Sequence, residues 1–141
     1  TGWMHNRVRM IVASFLVKHL RIHWMEGEKH FKNCLVDYNE ASNVAQWQWV
    51  AGCGADAAPY FRIFNPILQG EKFDKDGIYT KKWVPELLNM PNNFLYKPWE
   101  LEKKYQEQIK VVIGTNYPKP MVDHATARNA ALDAFQKIKK N

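Results

Sequence analysis

The chain has 141 residues, 46% of them hydrophobic, which is long and apolar enough for a domain with a buried core. Lys and Arg number 20 against 14 Asp and Glu, giving a net charge of +6, and an excess of that sign suits either a polyanionic partner or a solvated basic surface. No run approaches the roughly 18 apolar residues of a membrane-spanning helix, and neither an internal repeat nor a low-complexity segment is present, so a helical membrane span and a repeat array are excluded.

The chain opens Thr1-Gly-Trp-Met-His-Asn-Arg-Val-Arg-Met10 with no lead-in and no initiator methionine, so a piece of a longer protein is expected. At about 100° per residue, the segment through Val17 reads as a helix with two unlike faces. Val8, Ile11, Val12, Phe15 and Leu16 form an apolar face for a core. Opposite lie Trp3, Asn6, Arg7, Met10 and Ser14, a stripe too polar to bury against oil and too aromatic and sulfur-rich for plain surface, which reads as the wall of a ligand cavity. Arg9 falls near the border of that stripe and invites a carboxylate partner, for which Asp37 is the candidate. Lys18 to His23 reads as a connector, and a second helix follows from about Trp24 to Val36 with Trp24, Gly27 or Glu28, Phe31 and Leu35 on its stripe. Periodicity alone makes Trp24 a core residue. Asp37-Tyr-Asn-Glu40 breaks the pattern and offers turn or cap oxygens. A third helix covers about Ala41 to Ala51, ended by Gly52-Cys-Gly54. Trp47 and Trp49, two apart, leave it roughly 200° from each other and are expected to serve different layers.

Ala55 to Pro66 is turn-rich, with two prolines and clustered aromatics. Gln69-Gly-Glu-Lys-Phe-Asp74 reads as a polar loop, and Asp76-Gly77 as a turn before a short helix from about Ile78 to Trp83. Pro91, Pro98 and Pro120 punctuate an extended region whose one moderate helical segment is Trp99 to about Ile109. Val111-Val-Ile113 is strand-like but too little for a sheet. From Asp123 to Lys139 the pattern is helical, with Asp123 as candidate N-cap and a basic end, Lys137 to Lys140, suited to the helix dipole. The fold class is all-α with long turn-rich connections.

Cys34 and Cys53, without a CxxC spacing or His pairing, read as buried free thiols. No GxSxG, P-loop, HExxH or metal-ligand spacing is present, and the five histidines are scattered as surface or capping residues. The chemistry therefore moves to a cofactor. Arg62, Gln69 and Lys72 stand in segments of mixed polarity, where a surface role is the default and phosphate positioning the alternative.

Three strings in order, TGWMHNRVRM, DAAPYFRIFNP and QGEKFD, resemble the carboxy-terminal part of the photolyase and cryptochrome family, most of all bacterial class I photolyases that repair cyclobutane pyrimidine dimers. The likeness runs through nearly the whole chain and weakens only around residues 101–114. It implies a partial helical FAD-binding domain over residues 1–141, with an antenna domain, its chromophore and the first part of the flavin domain upstream. It further implies reduced FAD as cofactor, UV-damaged DNA as partner, a bacterial cytoplasmic location, a monomeric intact protein, and no metal.

Residue by residue, the resemblance implies that Trp3 lies beside the cofactor, that Asn6 sits between flavin adenine and lesion, and that Arg7 pairs with phosphate through its planar fork. Met10 would be a soft wall for flipped bases. Arg9 and Asp37 would pair beside the isoalloxazine ring, with Tyr38 and Asn39 completing the flavin-contacting turn. The family commonly has an acid where Asn39 stands, so tuning of the flavin charge departs from the pattern. Asn43 would face the reactive flavin nitrogen as a neutral amide able to donate to it; plant-type cryptochromes usually have aspartate there. Trp24 and Trp47 resemble the middle and inner members of an electron relay, and Trp49 the aromatic that packs on the lesion, a stacking contact worth about 1–3 kcal/mol. Photolyases are themselves a standard example of base flipping. Arg62, Gln69 and Lys72 would contact DNA, while Gln46 and Val44 carry no implied function. No acid or base is required, and the isolated chain is expected to bind FAD weakly because the family holds the flavin phosphates upstream. The rival readings are a cryptochrome-type photoreceptor and a basic helical DNA-binding module without cofactor.

Overall fold

The first helix begins where a side chain can replace a missing backbone partner: His5 Nδ1 accepts the Arg7 backbone N–H at 3.1 Å. In this computed structural model, which describes residues 1–56 and 62–139, α1 spans Asn6–Ser14 and runs directly into a π-helical turn, Phe15–His19. The regular register therefore stops short of the expected Val17, and Arg21, at φ 54°, ends the run. Helix α2 (Trp24–Cys34) is capped by His23, and α3 (Glu40–Ala51) by Asn39, whose Oδ1 accepts the Ser42 N–H at 3.0 Å. Gly52, left-handed at φ 78°, closes α3. Part of the turn-rich stretch, residues 57–61, and Lys140 of the basic tail lie outside the described residues.

The chain divides into two compact units, Thr1–Phe64 with Val122–Asn141, and Asn65–Met121. In the first, α2 packs on α3, α1 packs on α3, and the last helix, α7 (His124–Lys139), packs on the π-turn. Asp123 caps α7 as its position predicts, taking the Thr126 N–H at 2.9 Å. The core is Ala13, Phe31, Trp47 and Val50, with Leu16, Trp24 and Leu35 among the residues packed round it. The predicted α2 stripe thus faces inward, and Phe31 meets Trp47 edge to face at 5.0 Å.

Several expectations are corrected here. Trp49 packs on the same cluster as Trp47, because a half-buried indole can reach a core from the flank of a short helix. Val12 is exposed, whereas Ser14, expected on the cavity stripe, is buried and accepts the Phe64 N–H at 3.3 Å. His19 is neither surface nor cap: it is buried, with Nε2 2.8 Å from His124 Nδ1. One ring must donate and the other accept, so the contact requires a neutral partner. Burial, then His124, lowers the His19 pKa against the opposing pull of the Ser14 backbone. A ring held neutral in the fold and free to charge when unfolded removes stability as pH falls below about 6.5. Both cysteines are free, as expected, but exposed rather than buried, since they sit at or just beyond helix ends.

In the second unit, α4 (Pro66–Phe73) replaces the expected polar loop at residues 69–74. Asn65 caps its first turn and Pro66 occupies the first helical position, a start signal stronger than the polarity of the loop sequence. Helix α5 (Ile78–Trp83) matches its prediction. The expected helix over Trp99–Ile109 is broken into a 3-10 turn, Pro98–Glu100, and α6 (Lys103–Gln108). Leu87, Met90, Leu95, Leu101 and Val111 make this unit's core. The strand-like trio contributes only an isolated bridge between Ile113 and Tyr117, and among the described residues no strand is formed. No described helix is long and apolar enough to cross a membrane.

Gly27 is what lets α2 and α3 approach, because a Cβ at that position would collide with the outer ring of the Trp47 indole. Gly27→Ala gains about 1 kcal/mol in helix propensity, but Trp47 is 2% exposed and has no space to retreat, so an overpacking cost of about 1–3 kcal/mol should win. The expected result is a lower midpoint of denaturant unfolding; a midpoint equal to or above that of the parent would contradict the tight α2–α3 contact.

Candidate functional site

Residues three and four apart on a helix share a face. Asn6, Arg9, Met10 and Ala13 follow that spacing on α1, and Ser42, Asn43, Gln46, Trp47 and Val50 follow it on α3. The two stripes face one hollow of about 390 Å³, with Phe31 and Leu35 of α2 and the turn Asp37 to Asn39 completing its wall. That volume lies in the range of small-ligand and cofactor sites, as does the mixture of apolar surface with a few convergent polar groups. Trp47, Phe31 and Met10 provide flat or soft apolar contact, while amides and one ion pair provide directed hydrogen bonds.

The ion pair is two-pronged. Arg9 Nη2 donates to both Asp37 oxygens, at 2.9 and 2.8 Å, and its Nε donates to the Met4 carbonyl at 2.8 Å. The guanidinium therefore ties the start of α1 to the turn between α2 and α3, and its charge is cancelled at the rim of the hollow. A second anchor was not legible in the sequence. Glu28 of α2 receives both the Asn43 amide nitrogen, at 3.1 Å to its carbonyl and 3.1 Å to Oε1, and the Tyr38 hydroxyl at 3.4 Å. With the Asn43 N–H groups directed at Glu28, the amide presents Oδ1 as an acceptor. Partial burial raises the Tyr38 pKa, Lys32 works against that, and Glu40 and Glu28 add to it, so the phenol stays a donor.

Of the residues singled out from the sequence, Asn6, Arg9, Met10, Asp37, Tyr38, Asn39, Asn43 and Trp47 line this one hollow. Trp3 does not: it precedes α1 and is 68% exposed, so it cannot continue a helical stripe. Arg7 is exposed and outside the lining, one step round the helix from it, whereas Arg9, expected only at the border, is in the wall. Trp24 and Trp49 are half-buried in the core cluster behind the lining. Arg62 is exposed with its guanidinium 4.4 Å over the Phe64 ring. Gln69 and Lys72 belong to α4 of the second unit, not to a loop, Lys72 lying over Phe73 and Gln69 carrying a buried Oε1 without a hydrogen-bond partner among the described residues. Gln46, to which the sequence attached no role, lines the hollow, and the i, i+3, i+4 spacing from Asn39 and Asn43 was the signal that could have found it. No group of three or more His, Cys, Asp or Glu among the described residues could hold a metal ion.

Residues 1–137 match the family described as the FAD binding domain of DNA photolyase. The chain is 58% identical over 139 residues to a deoxyribodipyrimidine photo-lyase of Agrobacterium fabrum, covering 99% of this chain and 29% of that protein. Among solved structures it resembles a bacterial class III photolyase from Agrobacterium tumefaciens, with a TM-score of 0.91 at 58% identity over 99% of this chain and 29% of the other. It also resembles a Synechocystis cryptochrome, with a TM-score of 0.88 at 41% identity over 94% of this chain and 27% of the other. The chain thus spans less than a third of the length of these relatives.

Arg9 makes a connection to Met4 that Asp37 does not share, so the two halves of the ion pair should not be equivalent. Arg9→Met is expected to cost about 1–3 kcal/mol, since it severs every one of these charge-assisted bonds. Asp37→Asn keeps an acceptor and the Arg9–Met4 bond and should cost no more than about 1 kcal/mol at this partly exposed pair. Denaturant unfolding of the two variants checks the order, and equal costs would contradict it.

Proposed function

Because the chain belongs to the photolyase family through its FAD-binding domain, we propose that it is the carboxy-terminal part of a light-driven DNA-repair enzyme that splits cyclobutane pyrimidine dimers. The observation that carries this reading is the joining, round one hollow, of a bidentate Arg9–Asp37 pair, an oriented Asn43 amide and a buried Trp47. These residues suit a flat heteroaromatic ring: apolar faces can rest on Trp47 and Met10, and ring-edge heteroatoms can meet Asn43, Tyr38 and Arg9. Bound in reduced form, FAD supplies the photoexcited electron that opens the dimer.

The chain's own residues then have separable tasks. Asn43, with its Nδ2 held by Glu28, would offer Oδ1 to a ring N–H as an acceptor, which modifies the sequence-based expectation of a donating amide. Asn39, in place of the family's usual acid, caps α3 and leaves the rim one negative charge poorer. Asn6 and Met10 form the part of the wall shared with a flipped lesion. Arg7, Arg62, Gln69 and Lys72 contact the damaged duplex outside the hollow, and Trp49 packs on the flipped lesion. Trp24 and Trp47, in one core cluster, form the middle and inner links of an electron path, and Trp3, outside the lining of the hollow, has no role in it. The net charge of +6 agrees with a polyanionic substrate.

The class I resemblance of the sequence and the class III description of a similar structure point to different branches, and only the family is common to both. A blue-light photoreceptor that binds FAD without repair is the second reading, and the likeness to a cryptochrome supports it. Asn43, where plant-type cryptochromes usually carry aspartate, favours repair. The whole protein is proposed as a cytoplasmic monomer with an antenna chromophore on an upstream domain, and the chain by itself as inactive and weak in FAD binding.

The test uses the full-length protein that carries this chain, mixed with UV-irradiated DNA and a reductant under blue light. Loss of dimers in the light and not in the dark is expected. A flavin-bearing protein that leaves the dimers intact would overturn repair in favour of photoreception, and a colourless one that binds DNA with steep salt dependence would overturn both.

A further inference from the structure

Two buried polar groups behind the hollow are not used by the cofactor site. Ser14 and Lys18 lie four residues apart on one face of α1 and the π-turn that continues it, and both are almost wholly buried. Both hold the same short segment: Ser14 Oγ accepts the Phe64 N–H at 3.3 Å, and Lys18 Nζ donates to the Arg62 carbonyl. The fastened segment presents an exposed Arg62 with its guanidinium 4.4 Å over the Phe64 ring.

A buried ammonium is an expensive way to hold a loop. Burial, then the Arg62 charge, lowers the Lys18 pKa to about 8, so at neutral pH the group is still charged despite its surroundings. A leucine or methionine would fill the same space without that cost. What an apolar residue cannot do is donate to the Arg62 carbonyl from inside the core.

We propose that Lys18 is a positioning residue for DNA binding: by pinning the Arg62 backbone, with Ser14 pinning Phe64, it fixes the direction in which Arg62 meets a phosphate. The inference rests on the reading of Arg62 as a DNA contact. It places Lys18 behind the contact rather than in it, so its effect on DNA passes through the Arg62 backbone.

The test is equilibrium binding of the full-length, flavin-loaded protein to a duplex carrying one cyclobutane thymine dimer, over a series of salt concentrations. Arg62→Gln should weaken binding about tenfold and reduce the slope of log K against log salt by about 0.9, the signature of one lost phosphate contact. Lys18→Met should move affinity and slope in the same direction, and the Lys18→Met, Arg62→Gln double variant should bind no worse than Arg62→Gln alone. Ser14→Ala, a milder change at the other fastening, should produce a smaller shift of the same sign. Flavin absorbance and far-ultraviolet circular dichroism report whether each variant is folded, and Ser14→Ala keeps the test open should Lys18→Met fail to fold. Additive losses in the double variant, or parent-like affinity and slope in folded Lys18→Met and Ser14→Ala beside a weakened Arg62→Gln, would overturn the positioning role. Parent-like binding by Arg62→Gln would instead overturn the DNA-contact reading of Arg62 on which the inference stands.

Discussion

The bidentate contact between Arg9 and Asp37 is the constraint on which the site depends. It joins the beginning of α1 to the turn that links α2 and α3, at 2.8 and 2.9 Å, and so sets how far apart the two lining stripes stand. It acts beside the Val36 N–H bond to the Gly2 carbonyl at 3.0 Å, which ties the segment before α1 to the same connection, whereas the apolar packing between the stripes is non-directional and tolerates sliding. The pair is only partly buried, so its value lies in geometry more than in stability. Behind it, the contact of Gly27 with Trp47 sets the depth of the hollow, since the indole can occupy that position only where α2 has no side chain.

Polar groups in this unit are used in two layers. The layer facing the hollow is adjustable chemistry: amides, a phenol and a neutralised arginine, organised by Glu28 from the rear. The layer behind it is fixed: Ser14 and Lys18 hold the Arg62 to Phe64 segment, and His19 meets His124 of the last helix. The π-turn makes the second layer possible, because its wider winding brings Lys18 and His19, adjacent in sequence, both under cover. Insertions of that kind occur often near functional sites, and here one helps to dock both the Arg62 to Phe64 segment and the terminal helix.

Helix existence was legible in the sequence wherever period and caps agreed. The α2 stripe, the break at residues 37 to 40 and the start of α7 all follow from residue spacing and side-chain oxygens at the right places. Reading failed where a register change or a long-range partner decided the outcome. Within α1 the lining follows regular spacing through Asn6, Arg9, Met10 and Ala13, so Arg9 and not Arg7 joins the wall, while Ser14 is drawn inward by the Phe64 N–H fifty residues away. Asn65 and Pro66 initiate a helix through a segment whose polarity reads as loop. Glu28 reads locally only as an alternative stripe residue, and its role as an anchor was hidden because its partners Tyr38 and Asn43 lie ten and fifteen residues away. The identity of the ligand was legible only through resemblance, because a volume and a lining describe many flat heterocycles equally well.

The central claim is that one hollow, bounded by α1, α3 and the Arg9–Asp37 pair, receives the flavin ring. A crystal structure of the full-length protein with its own flavin bound tests this most directly. The account predicts the ring against Trp47 and Met10, with a ring N–H within about 2.7–3.2 Å of Asn43 Oδ1 and the Arg9–Asp37 pair at its edge. A ring held on another face of the protein, with the hollow between α1 and α3 closed by its own side chains, would contradict it.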